Sequence, residues 1–594
     1  MILRVLVASF HHRNGNQIDY AVPAFDADSS SASTAEGSPV ALPHEFAALP
    51  FLCIPDGAHA LHGAQGSDED DDSDDHFQTQ RYGGDFVYFQ VPMKGSRPIF
   101  GVSCFRQIPA SELNSKPDDV TRTMVQKAVV VLTSEPIFGP LVQKLGLVTK
   151  SYFEQRDFAN LEIIDELYQS LKNTFHSFVS DLDLHFGLNL RETVTKFKGS
   201  TLQIFKLLLL EKRILFFGTN TTQLGVTQYG IMSLFPGLLR SFCHLKPEDV
   251  AATSVESANE LRAANDHHDV LGFPLKIFDN ESSLFLPYIS LHQIDLLTSP
   301  EVKAFVFGSS NSIFAVQRGS NIDAIVNTDT GIVEILNTEL KRSLKMTASD
   351  RSFIEDLVDT VVDSWDYDHE NLDSDPMGDY EGSDNYIRAR FEAYLVSLFA
   401  TVKNSLLVLD EESQLLVADF NSTWVDAWMD TENFKDWSLN PTVELGPELL
   451  KTLGHVKRGA LEDPFEATLQ GIRKSIVTPL QTNVVKALEQ AEAGISTAVT
   501  NLTDPEQQKL MQEKLAATMA NASKAAGTAL SSAKETAQDF GKVAEAALTN
   551  AGKAAESALS NAGKAAQEGF TNVVAGFKDS NALQGEHRLF ERKI

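Results

Sequence analysis

The side chains that could do chemistry in this 594-residue chain are few, and their spacing argues against most of the chemistry they could do. A carboxylate-rich run at 67–75, SDEDDDSDD, offers acids at the alternating positions a calcium loop uses. It lacks the central glycine and the closing bidentate glutamate, so a solvated spacer is the better reading, with Ser67 and Ser73 open to an acid-directed kinase. His11–His12 and His267–His268 are adjacent pairs; neighbours point apart on a strand and do not share a helix face, which disfavours zinc. Cys53, Cys104 and Cys243 form an odd, sparse set that reads as buried thiols in a reducing compartment. The nearest approach to a nucleophile elbow, Gly101-Val102-Ser103-Cys104-Phe105, fails at its last position. The Gly-Lys pairs at 541–542, 552–553 and 563–564 are followed by Val or Ala, outside any strand-turn-helix setting, so they do not cradle phosphate. No catalytic, cofactor or metal residue is expected.

Charge narrows the partners. A formal net charge of -31 repels phosphate backbones and disfavours nucleic acid, while basic protein surfaces are favoured. The first ten residues are apolar but interrupted by Arg4, with no small-residue cleavage site after them, and read as a strand. No apolar run reaches the ~20 residues that span a bilayer, so any membrane contact is expected to be peripheral.

The elements are organised around residues 197–218, FKGSTLQIFKLLLLEKRILFFG. From Leu202 to Leu210 the apolar density predicts a helix covered nearly all round, followed by a turn at 211–213 and a buried strand over Ile214–Phe217. The fold class read from this is α/β plus α. An N-terminal module over 1–172 has strands at Leu3–Phe10, Phe86–Val91, Ile99–Arg106 and Lys127–Thr133 in a mostly antiparallel sheet, then helices from Pro136 to Leu145 and Ser151 to Leu171. A disordered acidic insertion near 28–80 interrupts it. A central α/β module over 173–346 has further strand candidates at Met232–Leu239, Gly272–Phe278, Ser283–Tyr288 and Ala304–Gly308, with a polar insertion at 249–269. A helical region over 347–474 has helices at Arg351–Trp365 and Asn385–Leu409, and an acidic loop near 366–384. Trp424 and Trp428 share a helix face there, as a core stripe more than an exposed anchor.

The tail over 475–594 is rich in Ala, Gly and Ser and repeats every eleven residues, close to the pitch of a straight helix. Its thin apolar face carries Leu548, Leu559, Phe570 and Phe577, as expected of a helix that orders on a membrane interface or a partner, or stays disordered.

Several ordered blocks are similar to one known family: HHRNGNQIDYAVP at 11–23, IPDGAH at 54–59, FGVSCFRQI at 100–108, DVTRTMVQKAVVVLT at 119–133, FKLLLLEKRILFFG at 205–218, SLFPGL at 233–238 and the stretch 421–437. They resemble the DENN-domain proteins of the AVL-nine late-secretory transport family over roughly 1–440. The acidic insertions and the eleven-residue repeats have no counterpart in that resemblance. It implies a longin-like N-terminal module, a central DENN module and a helical third part. It implies a regulator of vesicle transport that binds a Rab-type GTPase, at most as a guanine-nucleotide exchange factor. The polar members of those blocks, Arg106, Arg122 and Lys127, are the expected GTPase contacts, with structural ion pairing as their other reading. The other function class is a membrane-associated trafficking scaffold held by its tail. Either way the expected location is cytoplasmic, peripheral to Golgi, endosomal or secretory-vesicle membranes.

Overall fold

The structure is a computed structural model that describes residues 1–11, 13–25, 39–56, 85–93, 95–114, 123–175, 179–243, 271–278, 282–316, 321–370, 380–408, 411–440 and 452–456. The acidic run at 67–75 with Ser67 and Ser73, His12, Arg122, the insertion at 249–269 with its histidine pair, and the tail with Leu548, Leu559, Phe570 and Phe577 lie outside them.

Near-continuous apolar runs make the first sheet. Strands β1 (Ile2–His11), β2 (Gly15–Val22), β3 (Asp85–Val91), β4 (Ile99–Pro109) and β5 (Met124–Thr133) pair in the order β2-β1-β5-β4-β3, all antiparallel. The central β1 and β5 carry Val5–Ala8 and Ala128–Leu132 without exposure, because helices cover the sheet. Those helices are α1 (Phe138–Glu154) and α2 (Glu162–Thr174). Their junction differs from the sequence expectation: α1 runs on past Leu145, through a buried Gly146, and the break falls at 155–161, where Arg156 has φ 56°. Packing of Leu145, Thr149 and Tyr152 outweighs the local cost of the glycine.

Strand β2 was not expected. Its polar Asn16, Gln17 and Asp19 mask a strand pattern, yet an edge strand tolerates them. The insertion is also narrower than 28–80, since Leu49, Leu52, Cys53 and Ile54 are buried and the short helix Leu49–Cys53 packs on the first sheet. Its apolar content overrides the polar sequence around it.

The second sheet grows from the organising stretch. Helices α3 (Leu190–Phe197) and α4 (Gly199–Leu209) precede β6 (Arg213–Phe217), with Glu211 taking φ 48° in the turn between α4 and β6. Helix α5 (Thr221–Met232) follows, then β7 (Ser283–Leu286), β8 (Ala304–Ser309), β9 (Ala324–Asn327) and β10 (Ile332–Ile335). The order is β10-β9-β6-β8-β7, with parallel pairing except at β10. Alternation along β6 divides two cores: Ile214 and Phe216 join the main cluster, Leu215 a smaller one with Phe305, Phe307 and Ile325. Two expected strands are absent. Met232–Leu239 is a helix end, a turn at Gly237 with φ 70° and the short helix Leu238–Ser241, while Gly272–Phe278 is turn structure. Helix α5 left no amphipathic signature because every residue in it but Thr222 is buried.

Helices α6 (Ala348–Glu370), α7 (Asp384–Leu407), α8 (Glu411–Ala418), α9 (Ser422–Met429) and α10 (Glu432–Leu439) follow among the described residues. Helix α6 runs on to Glu370, past Trp365 and into the stretch read as an acidic loop, of which 371–379 lie outside the described residues.

Candidate functional site

Open α/β sheets place binding sites beyond the carboxyl ends of their parallel strands, where the connections diverge to either side. In this chain the divergence is at β6, flanked by β8 and β9. Close packing shapes the edge: a Cβ on Gly218 would lie 1.9 Å from Thr328 Oγ1, and one on Gly308 2.0 Å from the Pro287 carbonyl oxygen. Only glycine fits at either position without a shift of its neighbour.

Asp56, contributed by the loop after the short helix Leu49–Cys53, is the hub of this edge. Its backbone N–H donates to Tyr288 Oη at 2.9 Å, and its carboxylate accepts from the Leu291 N–H at 2.9 Å and Asn311 Nδ2 at 3.3 Å. Its carbonyl accepts from Ser310 Oγ at 3.2 Å. Burial, with the charge of Asp56 adding to it, raises the Tyr288 phenol, so Tyr288 is a neutral hydroxyl at this junction. The rings of Phe51 and His292 meet at a tilt of 34° with centroids 3.6 Å apart, and Leu291, Ile313 and Val316 are exposed nearby in the chain. A second seam fastens the sheets: Thr221 Oγ1 donates to the Phe86 carbonyl at 2.8 Å, the Phe86 N–H to Thr222 Oγ1 at 2.9 Å, and Gln90 Nε2 to Tyr229 Oη at 3.1 Å. The free edge of β3 is thereby closed by the first turn of α5.

A second polar constellation is fully buried. Lys206, on α4, ion-pairs with Asp350 of α6 at 2.5 Å and donates to the Phe420 carbonyl at 3.1 Å. Tyr394 donates to Asp350 at 3.0 Å, His455 lies 3.3 Å from it, and the Thr347 N–H reaches it at 3.2 Å. Burial by itself would raise the Asp350 carboxyl, but the bond to His455, the charge and bond of Lys206 and the Thr347 amide hold it well below the usual carboxylate range. Trp424 Nε1 donates to the Lys206 carbonyl and Asn433 Nδ2 to the Leu209 carbonyl, satisfying acceptors in the last turn of α4. This node is structural. It ties the organising helix to the helical region.

Of the expected contact residues, Arg106 and Lys127 are brought together: they face one another across β4 and β5. Lys127 is occupied by an ion pair with Asp19, itself held by Ser9 and Gln17, and lies over the Phe158 ring. Arg106 is half-buried, and its Nη1 has no hydrogen-bond partner among the described residues. Neither belongs to the Asp56 junction. Sequence reasoning missed Asp56, Tyr288, Lys206, Asp350 and His455; a lone lysine inside the FKLLLL run was the available signal for a buried ion pair. Trp424, Trp428 and Trp437 are buried, as a core stripe requires. All three cysteines are buried thiols, and burial pushes that of Cys104 up to about 12. Among the described residues no helix is long and apolar enough to cross a membrane, and no group of His, Cys, Asp and Glu side chains is arranged to hold a metal.

These features define a mixed α/β protein of two sheets with a helical third region. The family described as Transport protein Avl9 matches residues 2–402, and the chain belongs to that family. It is 30% identical over 458 residues to the late secretory pathway protein avl9 of Schizosaccharomyces pombe, covering 74% of this chain and 86% of that protein. It is 31% identical over 511 residues to the late secretory pathway protein AVL9 of Saccharomyces cerevisiae, covering 80% of this chain and 63% of that protein. The match to the yeast protein thus spans less than two thirds of its length.

Proposed function

We propose that this chain serves vesicle transport in the late secretory pathway, as a DENN-type protein that binds a Rab-type GTPase and speeds release of its nucleotide. The observation that carries the reading is the match over 2–402 together with two relatives named for that pathway. The proposed contact surface is the junction of the first, longin-like sheet with the second, DENN-like sheet, around Asp56, Leu291, His292 and Ile313. Its support is that one short loop orders both sides of it and that apolar side chains stay exposed beside it. Exchange of this kind needs no acid, base or nucleophile: a surface that binds the nucleotide-free GTPase more tightly than the loaded one accelerates release by that difference.

A GDP-release assay over a Rab panel tests this. Saturable acceleration with at least one member is expected. Binding without acceleration would favour the scaffold reading, and no binding to any member would end the GTPase proposal. The scaffold reading has its own support in the tail, where nine Lys or Arg balance eight Asp or Glu from 521 to 594 while the whole chain stands at -31. Flotation of the full chain with loosely packed vesicles, lost in a chain ending at 474, is its expected result.

A further inference from the structure

We infer that the free edge of β10 takes an extended acidic segment of a partner protein, which adds to the second sheet as a sixth strand. Strand β10 ends the order β10-β9-β6-β8-β7 and is paired on one side only, with β9. The Gly331 N–H donates to the Asn327 carbonyl and the Leu336 N–H to the Asp323 carbonyl, both at 2.9 Å, which fixes the alternation along the strand. Ile332 and Glu334 therefore turn their backbone groups to β9, and Val333 and Ile335 turn theirs outward. Those two N–H and two C=O groups have no hydrogen-bond partner among the described residues. No proline blunts the strand, and Ile332 is 62% exposed while Val333 and Ile335 pack on the main core.

The charges around this edge select an acidic guest. Lys196 stands at the start of the strand, since a Cβ on Gly331 would lie 2.7 Å from its carbonyl oxygen and 3.3 Å from its Cγ. Lys198 follows at the head of α4, which packs on β10. Past the other end of the strand, the short helix Leu340–Ser343 exposes Lys341 and Arg342, and the exposed Lys345 comes next. Lys345 adjoins Met346, whose Cε would lie 3.3 Å from a Cβ on Gly199, so the chain after β10 returns to the head of α4. None of these five cations has an ion-pair partner among the described residues. Between 331 and 346 the acids are Glu334 and Glu339, and Asp329 in the preceding turn accepts from the Thr219 N–H at 2.9 Å. Cations thus prevail locally in a chain whose net charge is -31.

An extended peptide is the ligand that these groups fit. It brings N–H and C=O groups at the strand's own spacing, whereas a phosphate, free or on a lipid, brings acceptors and leaves the two outward carbonyls without a donor. Because the cations bracket the strand and Glu334 lies on it, the acids of the guest belong at its two ends, with β-branched residues between them.

Fluorescence anisotropy of a labelled peptide EEVTVEE on the full chain, with KKVTVKK as control and hydrogen exchange as the second readout, tests this. Saturable binding of the acidic peptide alone is expected, weakened by salt, with new protection at the Val333 and Ile335 amides and little change at Glu334, whose amide already faces β9. Val333→Pro deletes one outward donor and keeps the pairing with β9, so it should weaken binding by about three- to tenfold. If that variant disturbs the hairpin, the exposed pair Lys341→Glu with Arg342→Glu decides, and should weaken binding by about tenfold or more. No binding of EEVTVEE, equal binding of the two peptides, or binding without protection at Val333 and Ile335 overturns the inference. So does capture by phosphatidylserine vesicles in place of the peptide, which would mean a membrane surface.

Discussion

Lys127 and Lys206 are both lysines paired with an aspartate on a distant element, yet they teach opposite lessons. Lys127 sits on the first sheet with its partner Asp19, both side chains partly reached by water, and Ser9 and Gln17 share the load on the carboxylate. Lys206 and Asp350 are closed off, at 1% and 0% side-chain exposure, between the organising helix and α6. The first pair is screened and replaceable; the second must be matched group for group, because an uncompensated charge there has no water to turn to. A partly hydrated charge pair on the first sheet decorates the fold, whereas charge in the α4–α6 seam fixes which helices meet.

The most severe way to break the comparison is Lys206→Met, which leaves Asp350 buried without its cation. A loss of about 3–5 kcal/mol is expected, followed by tryptophan fluorescence in urea, since the Lys206 ammonium lies 4.9 Å from the Trp424 ring centroid. The double change Lys206→Met with Asp350→Leu should regain much of that loss, as removing both charges restores an apolar seam. A double variant no more stable than the single would show that the pair is not what holds the seam.

Acid attacks the same node. The folded Asp350 carboxyl titrates below its unfolded value near 4, so its stabilising contribution is full above that value and drains away as pH falls through the folded one. Asp350→Asn should therefore show a flatter fall in stability between about pH 5 and pH 2 than the unaltered chain. Parallel curves would mean that other carboxylates dominate.

Smaller effects are expected at the sheet junction. Asp56→Ala removes the acceptor of the Leu291 N–H and Asn311 Nδ2, at a cost of about 1–3 kcal/mol, and should speed hydrogen exchange at 288–311 before it affects the first sheet. Lys127→Ala should cost about 1 kcal/mol or less by the same urea measurement. If that variant keeps its stability but loses affinity for a GTPase that the unaltered chain binds, the contrast between the two lysines becomes one of function against structure.

How much of this was legible in the sequence depended on whether a segment reports its own surroundings. Runs such as VVVLT and RILFF are apolar enough to demand burial wherever they pack, so four strands of the first sheet and β6 could be read directly. Helix α5, covered on all sides, and β2, polar at an edge, each lack the periodicity that announces an element. The candidate site was the least readable, because Asp56 stands 232 residues from Tyr288 and 255 from Asn311. Nothing local to a short polar loop tells where it will be bonded.

The amino-acid sequence alone determined that residues 202–217 lie inside the protein, that the tryptophan stripe is core, and that the chain falls among transport proteins of its family, since apolar density and ordered blocks survive any arrangement of neighbours. Tertiary structure alone decided that Lys206 meets Asp350, that Arg106 faces Lys127, and that Asp56 closes the carboxyl edge of the second sheet. The physical reason is range: burial follows from composition over a few turns, whereas a hydrogen bond or ion pair is made within about 3 Å by groups whose approach the whole fold controls.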